Sequence, residues 1–293
     1  MPRPFPESDL ILNSRGSIYH LDLRPEEIAD IILVGGDPGR IKKISRFFDR
    51  IEFKNQKREF VTHTGYYKGK RITALSTGIG PDNIDIVFNE LDALANIDLQ
   101  KRIPKPNHKT LKIIRIGTSG SLQENIPPDS FVFSTHGIGQ DGLLNFYKIK
   151  YNGNEKSLCN AFIKQFPTKG IFARPYAVEA TLDGTSFLSN GFIPGITVTC
   201  GGFYGPQGRI LRYQLTLVDF IKKMNGFNWR DHKITNFEME TSAMYGLGKI
   251  LGHKTCTVTA IVANRISGEV TKNGSKAMDE LIYRVLENVK DLS

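Results

Sequence analysis

Short, wholly apolar runs alternate with amphipathic stretches along most of the chain. Ile31-Ile32-Leu33-Val34 has no polar face and reads as a strand buried on both sides. It runs directly into Gly35-Gly36-Asp37-Pro38-Gly39-Arg40, after which residues 41–48 carry the apolar spacing of an amphipathic helix. Residues 51–66 alternate loosely, a hairpin turn is predicted at Tyr67-Lys68-Gly69-Lys70, and 71–76 form the next strand. That strand ends in Thr77-Gly78-Ile79-Gly80-Pro81, ahead of a long helix over 82–95. Further strands are predicted at 111–116, 131–134, 171–173, 176–182, 196–199 and 255–263, and helices at 155–166, 241–251 and 276–289. The polar connector 96–109 reads as a loop excursion, because the strand after it is apolar enough to join the same sheet. The expectation is a single α/β domain over 1–293, with residues 1–19 as an N-terminal arm in which Pro2, Pro4 and Pro6 discourage regular structure.

Composition narrows the function classes. A chain of 293 residues with 40% hydrophobic and 24% charged positions is ordinary for a globular protein. Its net charge of +9 suits an anionic partner. The basic residues are scattered, however, and no basic block interleaves with aromatics, so nucleic acid is not the expected partner. A diffuse positive field drawing a small anion into a cleft fits better. The three cysteines (Cys159, Cys200, Cys256) are far apart and form no CxxC, which argues against a disulfide framework and a zinc site. The N-terminus lacks the apolar core of a signal peptide, and no apolar run approaches the ~18 residues of a membrane span. A cytoplasmic location with no membrane partner is expected.

Candidate chemistry gathers where strands end, as it does in open α/β sheets. Glycines admit close backbone approach, and free amides at a following helix N-terminus attract anions. Arg40 stands at the first such junction and 77–81 forms a second, although neither is a GxGxxG or GxxxxGK[ST] motif. Arg115 lies in an apolar strand that is expected to open into Gly117-Thr118-Ser119-Gly120, and a buried arginine needs a partner. In the glycine-rich loop 201–209, Phe203 can stack on a flat heterocycle, while Gln207 and Arg209 offer directional hydrogen bonds. Asn236-Phe237-Glu238-Met239-Glu240 admits two readings: an N-cap at Asn236 with two acids on the helix dipole, or carboxylates accepting from adjacent hydroxyls such as those of a ribose. Residues 266–275 are polar and glycine-containing, a candidate lid.

Taken in this order and spacing, Gly35 to Arg40, Ser76-Thr77-Gly78-Ile79-Gly80, Ile114-Arg115-Ile116-Gly117-Thr118-Ser119-Gly120 and Phe237-Glu238-Met239-Glu240 resemble the nucleoside phosphorylases of the purine-nucleoside and uridine phosphorylase superfamily, most closely its uridine branch. The resemblance implies a three-layer α/β/α fold around a central mixed β-sheet. It implies a phosphate site at Gly36, Arg40, Arg115 and Thr118, with Arg58 reaching in from a neighbouring subunit. His20 would cross the same interface towards the ribose 5′-hydroxyl. Glu238, Met239 and Glu240 would hold the ribose, and Phe203, Gln207 and Arg209 the uracil. Uridine and inorganic phosphate would be the substrates, with no cofactor beyond a monovalent cation such as K+ near Glu59 and Ser76. A homodimer would be the smallest unit and a homohexamer the larger assembly. Arg115, Glu240 and Arg209 would carry the catalysis. One departure bears on the substrate: purine-type relatives carry an aspartate after a serine on the final strand, whereas Ala260 to Arg265 here holds no acid.

Overall fold

The structure, a computed structural model, describes residues 3–166, 173–217 and 219–290, so the strand expected at 171–173 lies largely outside the described residues. β1 (Ile31–Gly35) leads into α1 (Pro38–Ser45), the strands β2 (Arg50–Lys57), β3 (Phe60–Tyr67) and β4 (Lys70–Ser76), and α2 (Pro81–Asn96). A two-residue ribbon, β5 (Ile97–Asp98) and β6 (Ile103–Pro104), occupies the polar connector. Then follow β7 (Lys112–Ser121), β8 (Phe131–Gly139), α3 (Gly153–Gln165), β9 (Tyr176–Glu179), α4 (Thr185–Ser189) and β10 (Ile193–Thr199). The last third contains α5 (Phe220–Asn225), β11 (Asn228–Trp229), β12 (His232–Glu238), α6 (Thr241–Leu251), β13 (Lys254–Asn264) and α7 (Gly274–Val289).

Local chemistry accounts for most of these boundaries. Asp37 caps α1 by accepting from the Gly39 amide, with Pro38 at the first helical position. The β3–β4 hairpin turns on Lys68 (φ 47°) and Gly69 (φ 79°), the double positive φ that matches strand twist. Asn152 and Glu155 close α3 with reciprocal hydrogen bonds, and Asn273 caps α7.

β1 explains the layering. Its side chains alternate between two cores: Ile32 and Val34 pack with residues of α2 and α6, while Ile31 and Leu33 pack with residues of α1 and α7. Each such side chain stabilises the fold by about 1.5–3 kcal/mol on burial. Helices therefore lie on both faces of a mixed sheet, as the resemblance implies. β1 is parallel to β4 and β7, β13 is parallel to β7, and β8 runs antiparallel to β13 and parallel to β10.

Three features depart from the sequence reading. β7 does not end at Ile116. It continues to Ser121 because β13 pairs with it along that length and β12 meets it antiparallel at Asn236–Ser121 and Phe237–Gly120. With β12 also paired to β10, the strands β7, β13, β8, β10 and β12 close into a ring. β12 itself was hidden in a polar segment. The expected cap residue Asn236 lies in this strand, accepting from Thr197 Oγ1 (2.8 Å) and donating to Ser119 Oγ (2.8 Å) and Thr259 Oγ1 (3.2 Å). Finally, the end of the N-terminal stretch, expected as an arm, is packed down: Ile18, Leu21 and Leu23 are buried in the α2 core.

Candidate active site

A cleft of about 970 Å³ opens at the carboxyl ends of β1 and β12 and along the second half of β7. Gly36 and Arg40 come from the first glycine-rich junction, Gly78, Ile79 and Asn83 from the second, and Arg115 and Thr118 from β7. Phe203, Gln207 and Arg209 form one wall, and Phe237 to Glu240 with Val262 and Ala263 another. The two junctions touch, since a Cβ added at Gly36 would stand 3.0 Å from the Gly78 carbonyl oxygen.

Arg115 is 5% exposed and lies on the floor. It projects from the same face of β7 as Ile113, towards the α2–α6 side. Its Nη2 pairs with Glu240 and, at 3.2 Å, with Glu238. Burial alone would lower its pKa, but the two carboxylates more than offset that and raise it. Arg115 Nε and Nη1, and the neighbouring Arg40 Nε, are buried donors with no acceptor among the described residues. Arg40 donates from Nη1 to the Ile116 carbonyl (2.8 Å), and burial followed by the Arg115 charge pulls its pKa down to about 10. Two crowded guanidiniums with unused N–H groups are a ready receptor for an oxyanion.

The glutamates divide the work. Glu238 accepts from the amides of Glu240 (2.9 Å) and Thr241 (3.0 Å) and from Thr199 Oγ1 (2.9 Å), so it caps α6 in place of Asn236. Burial raises its carboxyl pKa, with Arg115 opposing and the Glu240 charge adding to the rise. Glu240 accepts from the Gly80 amide (2.8 Å) as well as from Arg115, tying the second glycine-rich junction to β7. Met239 lines the cleft between them.

At the other end, Arg209 Nη1 donates to Gln207 Oε1 and to the Phe203 carbonyl, both at 2.6 Å, and its guanidinium lies 3.7 Å from the centre of the Phe203 ring. Arg265, which the sequence reading did not single out, donates to the Gln207 carbonyl (3.2 Å) and faces the Phe237 ring. Its only signal was its position just after the last strand. The candidate lid is pinned at its base, because Asn264 N donates to the Glu269 carbonyl (2.8 Å) and Thr271 N to the Val262 carbonyl (2.9 Å).

Two expected site residues do not reach their own cleft. Arg58 sits exposed at the β2–β3 tip with φ 53°. His20 lies outside α2, with Nδ1 2.7 Å from Glu90. The residues beside them meet, however: the Lys57 ammonium stands 4.6 Å over the Tyr19 ring, so both segments share one surface. Glu59 lines the cleft, whereas Ser76 is buried behind it, donating to the Glu59 carbonyl and accepting from the Val61 amide. Among the described residues, Asp92, His108 and His253 bring one ligand-type atom each within 4.8 Å of one another. His253 Nδ1 accepts from the Leu111 amide (3.2 Å) and His108 Nε2 meets the Leu251 carbonyl (2.9 Å), so each of the two rings already spends one nitrogen on the backbone.

The family model described as the Phosphorylase superfamily matches residues 30–292. A uridine phosphorylase of Thermococcus kodakarensis is 28% identical over 278 residues, spanning 94% of this chain and 88% of that protein. A DeoD-type purine nucleoside phosphorylase of Streptococcus suis is 26% identical over 252 residues, spanning 85% of this chain and 88% of that protein. Among solved structures, a Trypanosoma brucei nucleoside phosphorylase described as showing uridine phosphorylase activity superposes with a TM-score of 0.89 at 28% identity, covering 97% of this chain and 100% of that one. The match runs through both glycine-rich junctions, the buried arginine and the paired glutamates, and by it this chain belongs to the phosphorylase superfamily.

Proposed function

We propose that the chain is a uridine phosphorylase, converting uridine or deoxyuridine and phosphate reversibly to uracil and the corresponding pentose 1-phosphate. The observation that carries this reading is the buried Arg115 beside the half-buried Arg40, with unused buried donors in a cleft that Glu240 and Phe203 also line. Phosphate held there attacks the ribose C1′ as the glycosidic bond breaks, so the arginines contribute proximity and orientation and no covalent intermediate is needed. Glu240 accepts from the ribose hydroxyls, and the anionic phosphate beneath the sugar stabilises the positive charge that develops on the ring. Arg209 meets the negative charge moving onto the uracil carbonyl. A hydrolytic reading is disfavoured, because a water nucleophile has no use for a cationic cradle.

The relatives include purine enzymes, but the end of β13 favours a pyrimidine. It carries no acid to protonate a purine N7, and the Asn264 amide is occupied by the Gln123 (2.9 Å) and Ile126 (3.0 Å) carbonyls. Phosphate-dependent release of uracil from uridine tests the proposal. Cytidine, lacking the second carbonyl and the N3 hydrogen, is expected to react at least about 10²-fold more slowly. Inosine cleaved as fast as uridine overturns the reading.

Gly117 offers a finer test of the floor. Arg115 folds back along its own strand, and a Cβ at Gly117 would lie 2.0 Å from Arg115 Nη1 and 2.7 Å from Cζ. Gly117→Ala should therefore displace the guanidinium and lower kcat/KM for phosphate on the order of 10²-fold, the cost of a misplacement near 1 Å. Phosphate saturation curves with a melting control check this. Unchanged phosphate kinetics would put Arg115 elsewhere during turnover.

A further inference from the structure

A second cavity, of about 720 Å³, opens between residues 144–151, the first half of α3 and the stretch Arg174 to Ala177 at the start of β9. It shares no lining residue with the cleft. Its wall carries Lys148, Lys150, Lys156 and Arg174, and no carboxylate pairs with any of the four among the described residues. The wall's one acid, Glu155, is fully buried and already neutralised by Lys249, at 2.7 and 2.6 Å from its two oxygens. It also accepts from the Asn152 amide at 2.7 Å. Four like charges around one hollow repel each other, and an anion inside relieves that repulsion. The same wall carries the rings of Tyr147 and Tyr151 and the apolar side chain of Ile149. Burial pushes the Tyr151 phenol up to about 12, so it stays protonated and able to donate. The volume falls within the range of ligand sites, roughly 300–1,000 Å³.

We propose that this cavity binds a nucleotide, its phosphates held between Lys148, Lys150, Lys156 and Arg174 and its flat ring against Tyr147, Ile149 and Tyr151. The site stands apart from the cleft and does not depend on which nucleoside the cleft accepts.

The test is calorimetric titration of the assembled protein with UTP and with tripolyphosphate, both in saturating inorganic phosphate to occupy the cleft. The wild type should bind one UTP per chain. The double charge reversal Lys150→Glu/Arg174→Glu alters exposed side chains and should fold normally. It should weaken UTP about 100-fold, two charged hydrogen bonds' worth, and leave turnover without UTP unchanged. The milder triple variant Lys148→Ala/Lys150→Ala/Arg174→Ala should weaken it in the same direction and guards against misfolding. UTP binding at least about fivefold tighter than tripolyphosphate supports the aromatic wall's share, within the range of ring contacts. Equal affinities overturn the nucleotide assignment. UTP affinity unchanged in either folded variant overturns the site itself. A wild type that binds UTP but releases no uracil from uridine would fault the reading of the cleft and leave this one intact.

Discussion

Arg115→Ala is expected to cut kcat/KM for phosphate by about 10²–10³-fold, the usual consequence of removing one preorganised charged donor from a reacting oxyanion. It should also destabilise the fold. Arg115 is the cation facing both Glu238 and Glu240, which are only 4% and 3% exposed. Removing it leaves two buried carboxylates without their partner, a loss on the order of 3–5 kcal/mol. Arg115→Lys separates the two effects: it keeps a charge near the glutamates but loses the fork that can serve carboxylates and phosphate together. The lysine variant should therefore melt nearer the wild type while its phosphate KM stays high. Steady-state rates against phosphate concentration, alongside thermal melts, check both. A folded variant with wild-type phosphate kinetics would remove Arg115 from the reaction.

Arg58→Ala and Glu240→Ala should each be nearly inactive as homo-oligomers and should recover activity when their subunits are exchanged. The expectation rests on placement. Glu240 lines the cleft, while Arg58 is exposed at the β2–β3 tip, on the surface it shares with the His20 segment. If a two-fold dimer brings that tip to its neighbour's cleft, one site of a mixed dimer collects both lesions and the other is intact. Random exchange of equal amounts makes about half of the dimers mixed, so recovery should approach a quarter of the wild-type rate. Rates before and after exchange, with mass spectrometry to confirm mixing, decide it. Folded, exchanged and still inactive protein would refute a shared site.

The sequence by itself determined the alternation of apolar strands with helices, the glycine-rich junctions and the order of motifs that carries the family. These are local properties. A run such as Ile31 to Val34 must be buried on both faces, and caps such as Asp37 and Asn152 act within three residues of themselves. Only the tertiary structure decided how the site is wired. β12 reads as polar because its buried groups are satisfied by side chains far away in sequence; Asn236 donates to Ser119 across 117 positions. Ring closure then sets Glu238 and Glu240 against Arg115, a choice between a helix cap and a ligand site that the sequence left open. It also assigned Glu238 to the α6 cap and brought Arg265 onto the Gln207 carbonyl. Hydrophobic periodicity records which surfaces leave water, whereas the pairing of buried polar groups depends on two distant segments at once, and no single stretch of sequence contains it.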